Sequence, residues 1–276
     1  MKHKERQKKT QATAKKQPQI KMLLWTVAAL CMAVMAVCIW QIVTILTERT
    51  QAGRENEQLA AYVQLETVVV SDQDQMQHTG PQLVVDFAGL QEENADICAW
   101  IYIPDTNIHY PVVYSGDNAY YLEHTAAREK NSCGAVFVEQ SNTPDFADKK
   151  TILYGHRMND GSMFADLLKY RDMEFWQEHP YGLLAVPGET YVLQILSAYE
   201  VPDDTMYYTI PTDDTMFLAD IAMLQAHSLW DSGIAVSAED KAVVLSTCVR
   251  GDASKRFIVL AKLVPYENFD FVNDAH

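Results

Sequence analysis

A metal-binding cysteine pattern is missing from this 276-residue chain: the five cysteines, at 31, 38, 98, 133 and 248, form no CxxC pair and no knuckle spacing, so zinc is not suggested. Repeats and low-complexity tracts are also absent after residue 80. With 48% hydrophobic and 21% charged residues, the balance is that of a globular protein and excludes a disordered one. Positive charge is scarce beyond the start. The first 21 residues hold eight of the 22 Lys and Arg and one of the 37 acids, so residues 22–276 carry 14 bases against 36 acids, a formal charge of −22. Nucleic acid is therefore not an expected partner. The acidity reads as a solvated surface, or as a preference for a basic or amine-bearing substrate.

Charge of either sign is lacking over residues 22–46, a run of 25. About 20 apolar residues suffice to cross the hydrocarbon core as a helix. The basic arm before it places the N-terminus in the cytoplasm and the bulk of the chain outside, as a single-pass cell-membrane protein. A cleaved signal peptide has a shorter apolar core, about 7–15 residues, and a small-residue cleavage site; no such site follows Leu46 cleanly, so the segment reads as an uncleaved signal anchor. Two of the five cysteines lie within it. Of the three outside, at least one is an unpaired thiol unless a partner chain supplies another cysteine.

The organisation expected is a basic cytoplasmic tail (1–21), a transmembrane anchor (22–46), a stalk helix and linker (47–80), a folded domain (81–264) and an acidic, aromatic tail (265–276). Leu83, Phe87 and Leu90 at helical spacing predict a short helix within 81–94. After it, short apolar runs separated by turn residues predict strands over 99–103, 109–113, 135–138, 151–154, 182–186, 190–199, 242–247 and 257–263. Eight such strands close a small, mainly β barrel filled with side chains. Helical insertions are expected over 161–170 and 213–228, the second with Thr212 as N-cap and bordering the site.

Residues 241–263 carry the candidate chemistry. Cys248 ends one apolar run and Arg256 opens the next, so neighbouring strands would set a thiol beside a permanent cation, an arrangement that favours a thiolate. A buried structural cysteine and a surface arginine are the alternative. Arg250 also lies near Cys248 and competes for the cationic role. A cysteine nucleophile needs an imidazole partner and a donor for the oxyanion. Among eight histidines, only His156 directly follows a strongly apolar run, 151–154, through Gly155, the same strand-end placement as Cys248.

The segment LYGHRM at 153–158, followed by Asp160, Gly161, Ser162, Met163 and Phe164, together with LSTC at 245–248 and Arg256, resembles the sortases, in particular class B. Further matches are residues 94–97 leading into 100–103, Thr106, His109, Tyr110, Pro111, Asp117, Asn118, Tyr120, Tyr121, Leu122, Gly134 and Phe137, so the resemblance covers residues 81–264. It implies a sortase-type β-barrel and a cysteine transpeptidase. Cys248 would attack the scissile carbonyl of a C-terminal sorting signal on secreted surface proteins, and His156 would shuttle the amine proton. Arg256 would orient the signal and stabilise the oxyanion, with Tyr154, Leu245, Ser246 and Thr247 lining the substrate groove. The amine acceptor would be peptidoglycan or its lipid-linked precursor, and neither cofactor nor metal is required. Two positions depart from the family: Val244 where Thr is usual, and Arg157 where Asn is usual. The alternatives are a membrane-anchored cysteine peptidase acting by hydrolysis, a pilin-polymerising sortase, and a non-catalytic wall-binding module.

Overall fold

The computed structural model describes residues 2–71, 77–202, 206–249 and 252–271. The chain divides into two units, Met1–Thr50 and Gln51–His276. Helix α1 runs Lys2–Ala60 and includes a stretch long and apolar enough to cross a membrane. Residues 22–46 as a helix extend about 37 Å, against a hydrocarbon core of about 30 Å. Apolar side chains such as Trp25, Leu30, Ile39 and Trp40 are exposed along this stretch, as suits a segment solvated by lipid.

Where a linker and the start of a helix were expected, the structure has a hairpin. Strands β1 (Val63–Ser71) and β2 (Gln77–Val85) pair antiparallel, from Val63 opposite Val85 to Ser71 opposite Gln77. Only α2, Phe87–Glu93, is helical, capped by Asp86, whose Oδ1 accepts from Gly89 N at 3.0 Å. The spacing of Leu83, Phe87 and Leu90 spans two elements. Leu83 is buried from the strand, beside an exposed Val84, and Leu90 is buried from the helix. Tail residues brace the hairpin: the Tyr266 hydroxyl donates to the Gly80 carbonyl at 3.3 Å, and the Phe271 ring lies where a Gly80 Cβ would be.

Eight strands close the barrel: β3 (Ile97–Tyr102), β4 (His109–Val113), β5 (Val136–Val138), β6 (Lys150–Tyr154), β7 (Tyr181–Val186), β8 (Glu189–Pro202), β9 (Lys241–Val249) and β10 (Asp252–Pro265). Their order is β10-β8-β7-β3-β4-β5-β6-β9. The pairs β4/β5 and β6/β9 are parallel. Every expected strand is present. Alternation along β9 sends Val243 and Leu245 into the interior with Ile101, Leu153 and Val259, while Ala242 and Val244 face a second apolar layer outside. Burial on both faces is why this strand reads as an unbroken apolar run.

The outer layer is built by α4, Asp214–Ala226, which buries Phe217, Ile221 and Leu224. Its N-cap is Asp213, not Thr212: the carboxylate accepts from Met216 N at 2.8 Å, and a negative group suits a helix N-terminus better than a hydroxyl. The insertion expected over 161–170 is a 3-10 helix, Phe164–Arg171, and a further short helix α3, Met173–Glu178, follows it. Between β6 and α4 lies a buried ion pair, Lys150 with Asp220, whose side chains are 0% and 8% exposed. The Lys150 ammonium also donates to the Tyr207 carbonyl at 3.0 Å.

Asp220→Ala leaves that ammonium buried without its counter-ion and is expected to cost about 3–5 kcal/mol, whereas the double change Lys150→Met with Asp220→Leu recovers most of the loss. Urea unfolding of the three proteins checks this.

Candidate functional site

Strand register assembles the site. At the end of β6, Tyr154 stands opposite Ser246 of β9 in the parallel pair. Gly155 then donates its N–H to the Ser246 carbonyl at 3.2 Å, and the Thr247 hydroxyl donates to the Gly155 carbonyl at 2.8 Å. These two bonds carry the pairing past the formal strand end, so His156 emerges at the level of Cys248. On the other side of β9, Cys248 is the direct antiparallel partner of Arg256. The thiol thus sits on the central strand of three, with the imidazole from one neighbour and the guanidinium from the other.

All three line a pocket of about 320 Å³ with Asn118, Leu122, Phe137, Tyr154, Tyr208, Ser246 and Thr247. The His156 ring is held from a different part of the chain. Its Nε2 lies 2.8 Å from the Leu122 carbonyl, and a carbonyl only accepts, so Nε2 carries a proton and Nδ1 is left for exchange. The turn that presents Leu122, the 3-10 segment Tyr120–Leu122, is fixed at its start by Asp117, whose Oδ1 accepts from Ala119 N at 2.7 Å and Tyr120 N at 2.8 Å. Gly134 gives this ring its space, and Gly155 does the same for the neighbouring Phe164 ring. A Cβ on Gly134, at φ +62°, would lie 2.8 Å from His156 Cδ2, and one on Gly155 would strike the Phe164 ring at 2.6 Å.

Tyr154, Ser246 and Thr247 line the pocket as expected, but Leu245 does not. It is fully buried in the barrel interior, because odd positions of β9 up to that point face inward. Helix α4 contributes no lining residue either; Tyr208, from the 3-10 turn Met206–Tyr208, borders the pocket in its place. Arg250 lies outside the described residues. Neither departure from the family pattern reaches the pocket: Val244 is buried in the layer under α4, and Arg157 forms an isolated bridge with Met163.

Asn118, Leu122, Phe137 and Tyr208 escaped the reading of the sequence as lining residues. Asn118 and Leu122 come from a loop with no periodicity, and the neighbouring aromatics Tyr207 and Tyr208 were the one available hint at the last. Four other histidines are engaged elsewhere: Nδ1 of His124 and of His227 bond Tyr120 O and Met223 O, each at 2.8 Å, His179 Nε2 is 3.4 Å from Asp105, and His109 packs edge-on against Trp100 and Tyr102. Burial pushes the Cys98 thiol up to about 12, which makes it a poor nucleophile. A larger pocket, about 560 Å³, lies between β2 and the β7–β8 turn, and its lining holds no Cys, His or Ser. Among the described residues no cluster of three or more His, Cys, Asp or Glu is arranged to hold a metal.

A family model described as Sortase domain matches residues 101–264. Sortase B of Listeria monocytogenes is 39% identical over 178 residues, which cover 63% of this chain and 72% of that protein. Among solved structures, sortase B of Bacillus anthracis in complex with AAEK1 superposes with a TM-score of 0.67 at 31% identity, covering 80% of this chain and 100% of that one. Structures of sortase B solved as a Staphylococcus aureus substrate complex and as a complex with triglycine each superpose with a TM-score of 0.62 at 29% identity, over 65% of this chain and 85% and 86% of theirs.

Gly134→Ala places a methyl group against the imidazole and is expected to break the bond from Nε2 to Leu122. In ¹⁵N spectra wild-type His156 is expected to show a protonated Nε2, and the variant to lose that signal; an unchanged His156 spectrum would contradict the packing described.

Proposed function

Since the chain belongs to the sortase family, cysteine transpeptidases that act on sorting signals, we propose that Cys248 is the nucleophile, His156 the acid and base, and Arg256 the oxyanion and substrate-orienting group. The observation that carries this reading is the register that makes Cys248 the neighbour of both His156 and Arg256.

The Cys248 thiolate attacks the scissile carbonyl of the sorting signal, forming the S–C bond while Arg256 donates to the developing oxyanion. Collapse breaks the C–N bond, and the leaving amine takes from His156 Nδ1 the proton that the Cys248 thiol passed to it on becoming the thiolate; the Nε2 proton stays hydrogen-bonded to the Leu122 carbonyl throughout. The thioacyl enzyme retains the energy of the peptide bond, so no nucleotide is consumed. An incoming amine then returns a proton to Nδ1, attacks the thioester and releases the thiolate. Thr247 supports the reaction by fixing Gly155. Tyr154 and Ser246 contact the signal peptide along the pocket wall.

The acceptor in this reading is an amine of peptidoglycan or its lipid-linked precursor. The sortase B relative solved with triglycine supports an amine-terminated glycyl acceptor and makes triglycine the natural probe. The apolar helix anchors the enzyme in the cell membrane, with the basic arm in the cytoplasm and the barrel outside, where secreted proteins and wall precursors meet it. An impermeant thiol reagent added to intact cells reaches Cys248 only in that orientation.

With a sorting-signal peptide from the same cell and triglycine, wild-type protein is expected to yield the peptide–triglycine product. Cys248→Ala abolishes transfer, His156→Ala lowers kcat about a thousandfold, and Arg256→Ala about a hundredfold. Mass spectrometry of the product decides between transfer and hydrolysis: free carboxylate at every triglycine concentration would mean a peptidase, and turnover by the Cys248 variant would remove the nucleophile.

A further inference from the structure

Behind the pocket wall stands a carboxylate with no part in that chemistry. Glu139 follows β5, is 7% exposed and does not itself line the pocket. Among the described residues it forms no ion pair. Three donors converge on it. The Asn118 amide nitrogen, at 2.8 Å, and the Tyr154 hydroxyl, at 2.7 Å, both donate to Oε2, and the Ser141 backbone N–H donates to Oε1 at 3.2 Å. Two of these donors, Asn118 and Tyr154, are pocket-lining residues.

The carboxylate determines what those two residues offer a ligand. The Asn118 Oδ1 accepts from the Gln140 N–H at 2.8 Å, so turning the amide round would set N–H against N–H on one side and oxygen against carboxylate on the other. The amide is locked, with one Nδ2 hydrogen left over. The single Tyr154 proton is committed to Glu139, which leaves the phenol oxygen as an acceptor. Burial and the adjoining Glu139 carboxylate also hold the Tyr154 phenol proton well above the ordinary tyrosine range. The wall therefore offers a donor and an acceptor, the complement of an amide group with its own C=O and N–H; an ester or a carboxylate has no N–H to give.

Resting on the reading of this pocket as the sorting-signal site, we propose that Glu139 is a positioning residue that fixes the hydrogen-bond polarity of the wall, so that Asn118 donates to and Tyr154 accepts from an amide of the substrate peptide. Replacing Glu139 by leucine removes both acceptor oxygens at a similar volume and leaves the Asn118 amide and the Tyr154 hydroxyl without the partner that orients them.

Two readouts test this. In transfer assays, Glu139→Leu raises KM for the sorting-signal peptide about tenfold with kcat within about twofold, and adding it to Asn118→Ala/Tyr154→Phe changes KM no further, because its effect runs through those two side chains. Multiplying effects would overturn the proposal. The second readout needs no turnover. With ¹³C-labelled tyrosine rings, the Cζ resonance that disappears in Tyr154→Phe reports the phenol bonded to a carboxylate, and it shifts in Glu139→Leu and in Glu139→Asp, whose shorter arm draws the charge back. A Cζ resonance unmoved by both variants refutes the positioning role. Were wild-type protein to turn over no sorting-signal peptide, the functional reading would fall while the tyrosine signal still decided whether Glu139 holds the wall.

Discussion

The parallel pairing of β6 with β9 is the constraint on which the site depends. Parallel strands end at the same side of a sheet, so the chain leaving Tyr154 and the chain leaving Ser246 travel together, and their next residues but one are His156 and Cys248. Pairing of β9 with β10 then returns the chain antiparallel and brings Arg256 opposite the thiol. Each contact is local to the sheet, yet the three residues come from 100 positions of sequence. Closure of the barrel supports this arrangement, because β9 is held on both sides along its length and cannot slip by one residue without turning Leu245 out of the core and Cys248 into it.

Two polar pins on the outside of the barrel position the walls around that sheet. Lys150, under α4, pairs with Asp220 and holds the Tyr207 carbonyl, next to the pocket residue Tyr208. Glu139, beyond β5, holds Asn118 and Tyr154. Apolar burial cements the barrel but lacks direction. Buried charge, costly unless every partner is present, gives direction to loops that have little core of their own.

Much of this was readable from residues alone. All eight barrel strands appeared as short apolar runs, and the membrane-length helix as a run without charge. The strand-end histidine and cysteine could be seen as equivalent positions before any geometry, and the family resemblance paired them. The errors have definite physical sources. Leu83, Phe87 and Leu90 mimic a helical period across a strand and a helix, which hid the β1–β2 hairpin. Leu245 was placed in the groove by the family resemblance, and a strand buried on both faces gives no alternation with which to correct it. Thr212 lost the cap to its neighbour Asp213, whose carboxylate suits a helix N-terminus better than a hydroxyl. Glu139 and Tyr208 bear on the pocket only through tertiary hydrogen bonds and loop placement, which leave no period or spacing in the sequence.

The central claim is that one thiol, placed by register, forms an acyl bond with the substrate. Acid-quenched mixing of the protein with a sorting-signal peptide, followed by intact-mass and peptide-level spectrometry, tests it directly. The account predicts a transient adduct of the N-terminal part of the peptide on Cys248 alone, discharged by triglycine. An adduct on Cys98 or Cys133, or product formation with no adduct at any time, would contradict it.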